Sequence, residues 1–200
     1  MTKRSAPLMG GAPRAVWTTT GTDPRIVSAR SAAQILVQSG TPTHLVWNPL
    51  SGEIVQLLPA TVPAGDLCRT APETGGDPSL HGRVCLQIAV VGLAARPFTD
   101  EPMLAAEAIV AWLDSWHVPR SWQGGQPGAA PAARDDRGSV RLWGRGGNFG
   151  HSQVPGTRTA APGRVDIALL TGIAQVPRPR VETTPAPLPT ARLSEVHSIG

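Results

Sequence analysis

The spacing of apolar positions changes period several times along the chain, and each change marks an element. Ala15-Val16-Trp17-Thr18-Thr19-Thr20 is rich in β-branched and aromatic residues and predicts a first strand. From Ser28, a natural N-cap, Ala32, Ile35, Leu36 and Val37 fall on a helical period that Gly40 stops. Thr43–Asn48 and Glu53–Leu58 flank Pro49-Leu50-Ser51-Gly52, which predicts a β-hairpin. Arg83–Gly92 (RVCLQIAVVG) is almost continuously apolar and predicts a central strand covered on both faces. Asp100 opens a second helical pattern with Pro102 in its first turn. It runs through Leu104, Ala105, Ala108, Ile109, Trp112 and Trp116 to Val118-Pro119, and both tryptophans read as core residues. Residues 123–138 read as a surface loop, Ser139–Trp143 as a short strand, the Gly-rich run up to His151 as a loop, and 164–170 as a closing helix. Strands interleaved with helices give an α/β class with a central mixed sheet flanked by helices.

Composition narrows this picture. Of 200 residues, 22 are Gly and 21 Pro, so loops are extensive, while 40% hydrophobic and 16% charged residues suit a packed core. The organisation predicted is a flexible lead-in over 1–13, one domain over 14–172, and a Pro-rich disordered tail over 173–200. No apolar run is long enough for a membrane span. The net charge is +4, with Lys3 the sole lysine, and the arginines are spread without a block. That spread argues against nucleic acid and leaves attraction to an anionic polymer as a separate class of function. Basic residues near Met1 are not followed by an apolar stretch, so no signal peptide is expected. Cytoplasmic residence, release on lysis and export by another route stay open. Cys68 and Cys85 can pair or remain thiols.

The five histidines form no HExxH pair and the cysteines no CxxC, so spacing alone announces no zinc site. His81 and His197 read as surface residues, His117 as a helix-terminal residue, and His44 as a core or sheet-surface histidine. His151 differs. It sits in Arg145-Gly-Gly-Asn-Phe-Gly-His151-Ser-Gln-Val-Pro-Gly156, where glycines leave the ring unhindered, and is the strongest functional candidate.

Gly150-His151-Ser-Gln-Val-Pro-Gly156, followed by Ala161-Pro162-Gly163 and Asp166, resembles the C-terminal metal loop of zinc-dependent N-acetylmuramoyl-L-alanine amidases. These are relatives of the peptidoglycan-recognition proteins and phage endolysins. The segments Ala15–Thr19, Thr43–Val46 with Gly52–Gln56, and Arg83–Gly92 follow in the order of that family's first strand, hairpin and central strand. The resemblance spans residues 14–172 and implies an amidase-like domain. It also implies a zinc held by two histidines and an Asp or Cys. His151 matches the second histidine, but Thr18 occupies the first position and Ala161 the third. Thr159 stands where the family has a lysine, Ala89 where many relatives have a glutamate, and Thr43 where some have a tyrosine.

A metal hydrolase needs its ligands, its base and its oxyanion donor together. The resemblance therefore implies peptidoglycan or muramyl-peptide recognition by a domain whose hydrolytic site has decayed, with no cofactor expected. An active zinc amidase, its site completed by Asp23, His44 or Cys85, is the alternative. The resemblance assigns the groove to Trp17, His44, Trp47, Arg145, Asn148, Phe149 and Arg158, the arginines pairing with stem-peptide carboxylates.

Overall fold

A computed structural model describes residues 7–65, 67–68, 77–128 and 137–172. Its centre is a five-stranded sheet in the order β3-β2-β4-β1-β5. The strands are β1 (Arg14–Thr19), β2 (Leu45–Trp47), β3 (Ile54–Gln56), β4 (Cys85–Val90) and β5 (Gly147–Gly150). β2, β4, β1 and β5 run parallel, and β3 pairs antiparallel with β2 to form the hairpin. The helices are α1 (Ala29–Gln38), α2 (Ala106–Ser115), α3 (Arg137–Gly144) and α4 (Ile167–Gly172). The chain is thus α/β with a mixed sheet flanked by helices. No helix among the described residues is long and apolar enough to cross a membrane.

Strand alternation sorts the core into two faces. Ala15, Trp17, Leu45, Trp47, Leu86, Ile88 and Val90 join Ile109 and Leu113 of α2 in the main cluster. Phe98 ties this layer together, stacking on Trp17 at 6.2 Å between centroids and meeting Trp47 edge-on at 6.0 Å. On the opposite face, Val46, Ala89 and Val91 pack against Ala29, Ala32 and Ala33 of α1. Beside them Val16, Cys85 and Phe149 pack with Leu67, Cys68 and Trp143 of α3. Burial on both faces explains why β4 reads as an unbroken apolar run. Cys68 and Cys85 share this cluster as thiols, and burial pushes the Cys85 thiol up to about 12.

Three elements depart from expectation. The segment predicted to begin α2 at Asp100 instead forms a single 3-10 turn at Phe98–Asp100, and α2 starts at Ala106. Met103 and Ala105 take positive φ because tertiary bonds outbid the helix: Trp47 Nε1 donates to Leu104 O at 2.9 Å, and Leu104 N to Pro49 O at 3.0 Å. Ser139–Trp143, expected as a strand, lies within helix α3. There Val140 is 59% exposed, while Trp143 turns inward onto Phe149 at 4.8 Å, so amphipathicity overrides the β-propensity of the valine. The Gly-rich run before His151, expected as a loop, contains edge strand β5. Gly150 has no room for a side chain, because a Cβ would come within 2.8 Å of Pro162 Cδ.

The later part of the predicted lead-in is tied down. Met9 N donates to Leu80 O at 2.8 Å, and Gly10 bridges to Gly82. The predicted tail, with His197, and the Arg134-Asp135-Asp136 part of the predicted loop lie outside the described residues.

Candidate functional site

The carboxyl ends of the parallel strands bring Thr18 and His151 to one place. Thr18 points to the Val16 face of β1 and is paired in register with Ala89 of β4. His151 follows β5 directly and opens the turn His151–Gln153. Gln153 pins that turn. Its Oε1 accepts from Gly150 N at 2.9 Å and Trp122 Nε1 at 2.8 Å, and its Nε2 donates to Gly124 O and Gly125 O, each at 2.9 Å. Ser152 N donates to Ala161 O at 2.6 Å, which draws the Ala161 segment alongside. Gly163 closes the loop against Ala94, where a side chain would overlap the Ala94 carbonyl oxygen.

The His151 ring is held at both nitrogens. Nε2 lies 2.7 Å from Leu67 O, and a carbonyl only accepts, so Nε2 carries the proton. Nδ1 then accepts from the Thr18 hydroxyl at 3.1 Å. The half-buried Thr18 and His151, with the backbone of Leu67, form a closed chain of hydrogen bonds. Ala89, in register with Thr18, and Ala161, whose carbonyl accepts from Ser152 N, are both buried and carry only methyl side chains.

The other residues assigned to the groove fall in three places. Trp17, His44, Trp47, Asn148 and Phe149 are buried. Trp17 Nε1 donates to Asn148 Oδ1 at 2.9 Å, and Asn148 Nδ2 donates to Pro119 O at 2.9 Å. Phe149 lies under Trp143. His44 accepts from Gln87 N at Nδ1 (2.9 Å) and donates from Nε2 to Val62 O (3.0 Å), and burial lowers its pKa to about 4. All five turn their side chains inward as scaffold. Arg158 is exposed in the loop after His151. Arg145 is exposed too, but it precedes β5 and so sits at the far end of the sheet. Gln153, Trp122 and the Leu67 carbonyl, which build the site, were not anticipated. Gln153 was visible in principle as the third residue after Gly150, whereas a backbone carbonyl leaves no trace in sequence.

No protein-family model matches the sequence, and no curated protein matches it significantly. Solved structures do. The endolysin N-acetylmuramoyl-L-alanine amidase LysCS from Clostridium intestinale superposes over 88% of this chain and 93% of its own, with a TM-score of 0.50 and 14% identity. The Staphylococcus aureus hydrolase AmiA, solved with its ligand, covers 80% of this chain and 69% of its own, with a TM-score of 0.50 and 12% identity. The chain has the amidase fold.

Within this amidase fold, the described side chains around His151 do not fit a three-ligand zinc. Among the described residues, no group of three or more His, Cys, Asp or Glu could hold a metal ion. Thr18 is a neutral hydroxyl, Ala161 has no donor, and each His151 nitrogen faces a protein group. The alternative ligands have other engagements. His44 has both nitrogens engaged, and Asp23 Oδ1 accepts from Arg25 N at 2.9 Å. Cys85 pairs in register with Arg14, four residues and roughly 13 Å along the strand from the Thr18–Ala89 pair.

Proposed function

We propose that this amidase-fold domain recognises muramyl peptides without hydrolysing them. The observation that carries the reading is the hydrogen bond from Thr18 to His151 Nδ1, at a position where a zinc ligand is expected by resemblance. LysCS is named for the bond between N-acetylmuramic acid and L-alanine, and the shared fold supports a ligand of the same class here. Thr18 and His151 form the floor, and Arg158, exposed in the loop that follows His151, meets a stem-peptide carboxylate. The buried Trp17, His44, Asn148 and Phe149 hold the strands that carry this floor. Action at the wall requires release on lysis or export.

Calorimetric titration with muramyl dipeptide, paired with dye release from labelled peptidoglycan, tests this. Expected are saturable binding unchanged by chelator, about tenfold weakening in Arg158→Gln, and no dye release. Dye release with near-stoichiometric zinc in the purified protein would refute recognition without hydrolysis. No saturable binding and no dye release would refute recognition itself.

A further inference from the structure

The opposite edge of the sheet gathers positive charge that the linear sequence scatters. β1, β4 and β5 are parallel neighbours, so their amino ends meet at one edge. Arg14 pairs in register with Cys85 on one side and Gly147 on the other. Arg83 lies two residues before Cys85, and Arg145 sits in the turn from α3 into β5, beside Gly146, where a Cβ would meet Pro13 O and Ala12 Cβ, so both exposed arginines stand next to the Gly11–Pro13 segment. Contacts agree with the register: Arg83 N donates to Gly11 O at 3.2 Å, and Gly147 N to Pro13 O at 3.0 Å. Arg141, also exposed, stands one helical turn before Arg145.

Between them lies Arg14, 3% exposed. Its guanidinium covers the Trp143 ring at 4.5 Å, and Nη2 donates to Ala12 O at 3.1 Å. A methyl group on Gly82, next to Arg83, would come within 3.3 Å of its Nε. Nε and Nη1 are buried without a hydrogen-bond partner among the described residues. A buried cation without a carboxylate is costly, and its field reaches the surface with little screening. The ion pairs among the described residues use Arg25, Arg30 and Arg120, none of this group. Asp77 is the acid whose charge is felt at Cys85, and its two oxygens already accept from Ser79 N at 2.8 Å and Ser79 Oγ at 2.6 Å.

We propose that Arg83, Arg141 and Arg145, reinforced by buried Arg14, form a docking site for a linear phosphate-bearing polymer bound through its charges. Guanidinium groups match phosphate oxygens in geometry, and three exposed arginines spread along one end of the sheet suit the many charges of a chain better than one small anion. The ring at this edge, Trp143, is buried, so no aromatic platform is offered to bases. The site is separate from the Thr18–His151 floor and does not depend on the muramyl-peptide reading.

The probe is fluorescently labelled linear inorganic polyphosphate, followed by anisotropy from low to moderate salt. Wild-type binding should weaken steeply with salt. The triple variant Arg83→Gln, Arg141→Gln, Arg145→Gln should bind at least tenfold more weakly, with a log–log salt slope smaller by about 2. A control triple, Arg25→Gln, Arg30→Gln, Arg96→Gln, removes equal charge elsewhere and should bind within about twofold of wild type. Circular dichroism verifies that both triples are folded, and Arg83→Gln alone, expected to weaken binding severalfold, serves if the triple is not. Equal loss in the two triples, or no measurable wild-type binding, overturns the site. Single-stranded DNA of equal length binding more tightly than polyphosphate would also overturn it, since the surface would then be reading bases.

Discussion

The buried His44 makes stability depend on pH in a way that can be worked through. Its ring bridges a strand and a loop: Nδ1 accepts from Gln87 N of β4, and Nε2 donates to Val62 O. Protonating Nδ1 would set an N–H against an N–H in a site that is 1% exposed. The folded state therefore holds the ring neutral, with its pKa lowered to about 4 by burial from an ordinary 6.5. The unfolded chain binds the extra proton first as pH falls. Stability from this group is complete above about pH 6.5 and is lost as pH drops through the folded value. A shift of this size corresponds to a loss of about 2 kcal/mol by pH 5 and about 3 kcal/mol by pH 4.

The assay is urea denaturation at half-unit pH steps from 7.5 to 4, on wild type and His44→Asn. The asparagine shortens the side chain and removes the titration, so the variant starts lower by about 2 kcal/mol but should decline less on acidification. The difference between the two curves isolates His44 from every other titrating group. Parallel curves between pH 6.5 and 4 would refute the reasoning. So would an imidazole proton resonance of His44 that titrates near 6.5 in the folded protein.

Restoring ligands at the candidate site tests its geometry. Thr18→His with Ala161→Asp should give a chelator-sensitive zinc stoichiometry near one, against none for either single variant; metal content after dialysis reads this out. Trp17→Phe keeps the ring layer but leaves Asn148 Oδ1 without its donor, and should cost about 1–3 kcal/mol in urea denaturation. Gly163→Ala forces a Cβ onto the Ala94 carbonyl oxygen at a positive φ. It should displace the Ala161–Asp166 loop and lower the melting temperature by roughly 10 °C or more, read by calorimetry.

Sequence made the frame legible because the frame is written in side chains. The alternation of Leu86, Ile88 and Val90 with Cys85, Ala89 and Val91 spells a strand buried on both faces. Ser28, whose Oγ accepts from Ser31 N at 3.0 Å, caps α1 where its residue type suggests. What sequence misplaced was decided by groups without a local signature. The start of α2 was moved by a bond from Trp47 to Leu104 O, 57 residues away. β5 was hidden by glycines that serve close packing, Gly147 against Ser121 and Gly150 against Pro162 and Pro127, rather than loop freedom. At the candidate site His151 stood out by residue type, and Thr18 and Ala161 only through the resemblance, but the Leu67 carbonyl that fixes the imidazole tautomer is a main-chain group.

The charge distribution separates what a count says from what a fold does. A net charge of +4 spread over 200 residues describes a mildly basic surface and gives no reason to expect a focused field. Parallel pairing changes that, because it gathers residues 14, 83 and 145 at the amino ends of three neighbouring strands although they lie far apart in the chain. Arg145 illustrates the consequence. Its place six residues before His151 suggested a common pocket, yet β5 runs between them and sets them at opposite ends of the sheet. Two chemically distinct ends then follow from one topological fact: the Thr18 hydroxyl and the His151 imidazole meet at the carboxyl ends of β1 and β5, and Arg14, Arg83 and Arg145 gather at the amino ends.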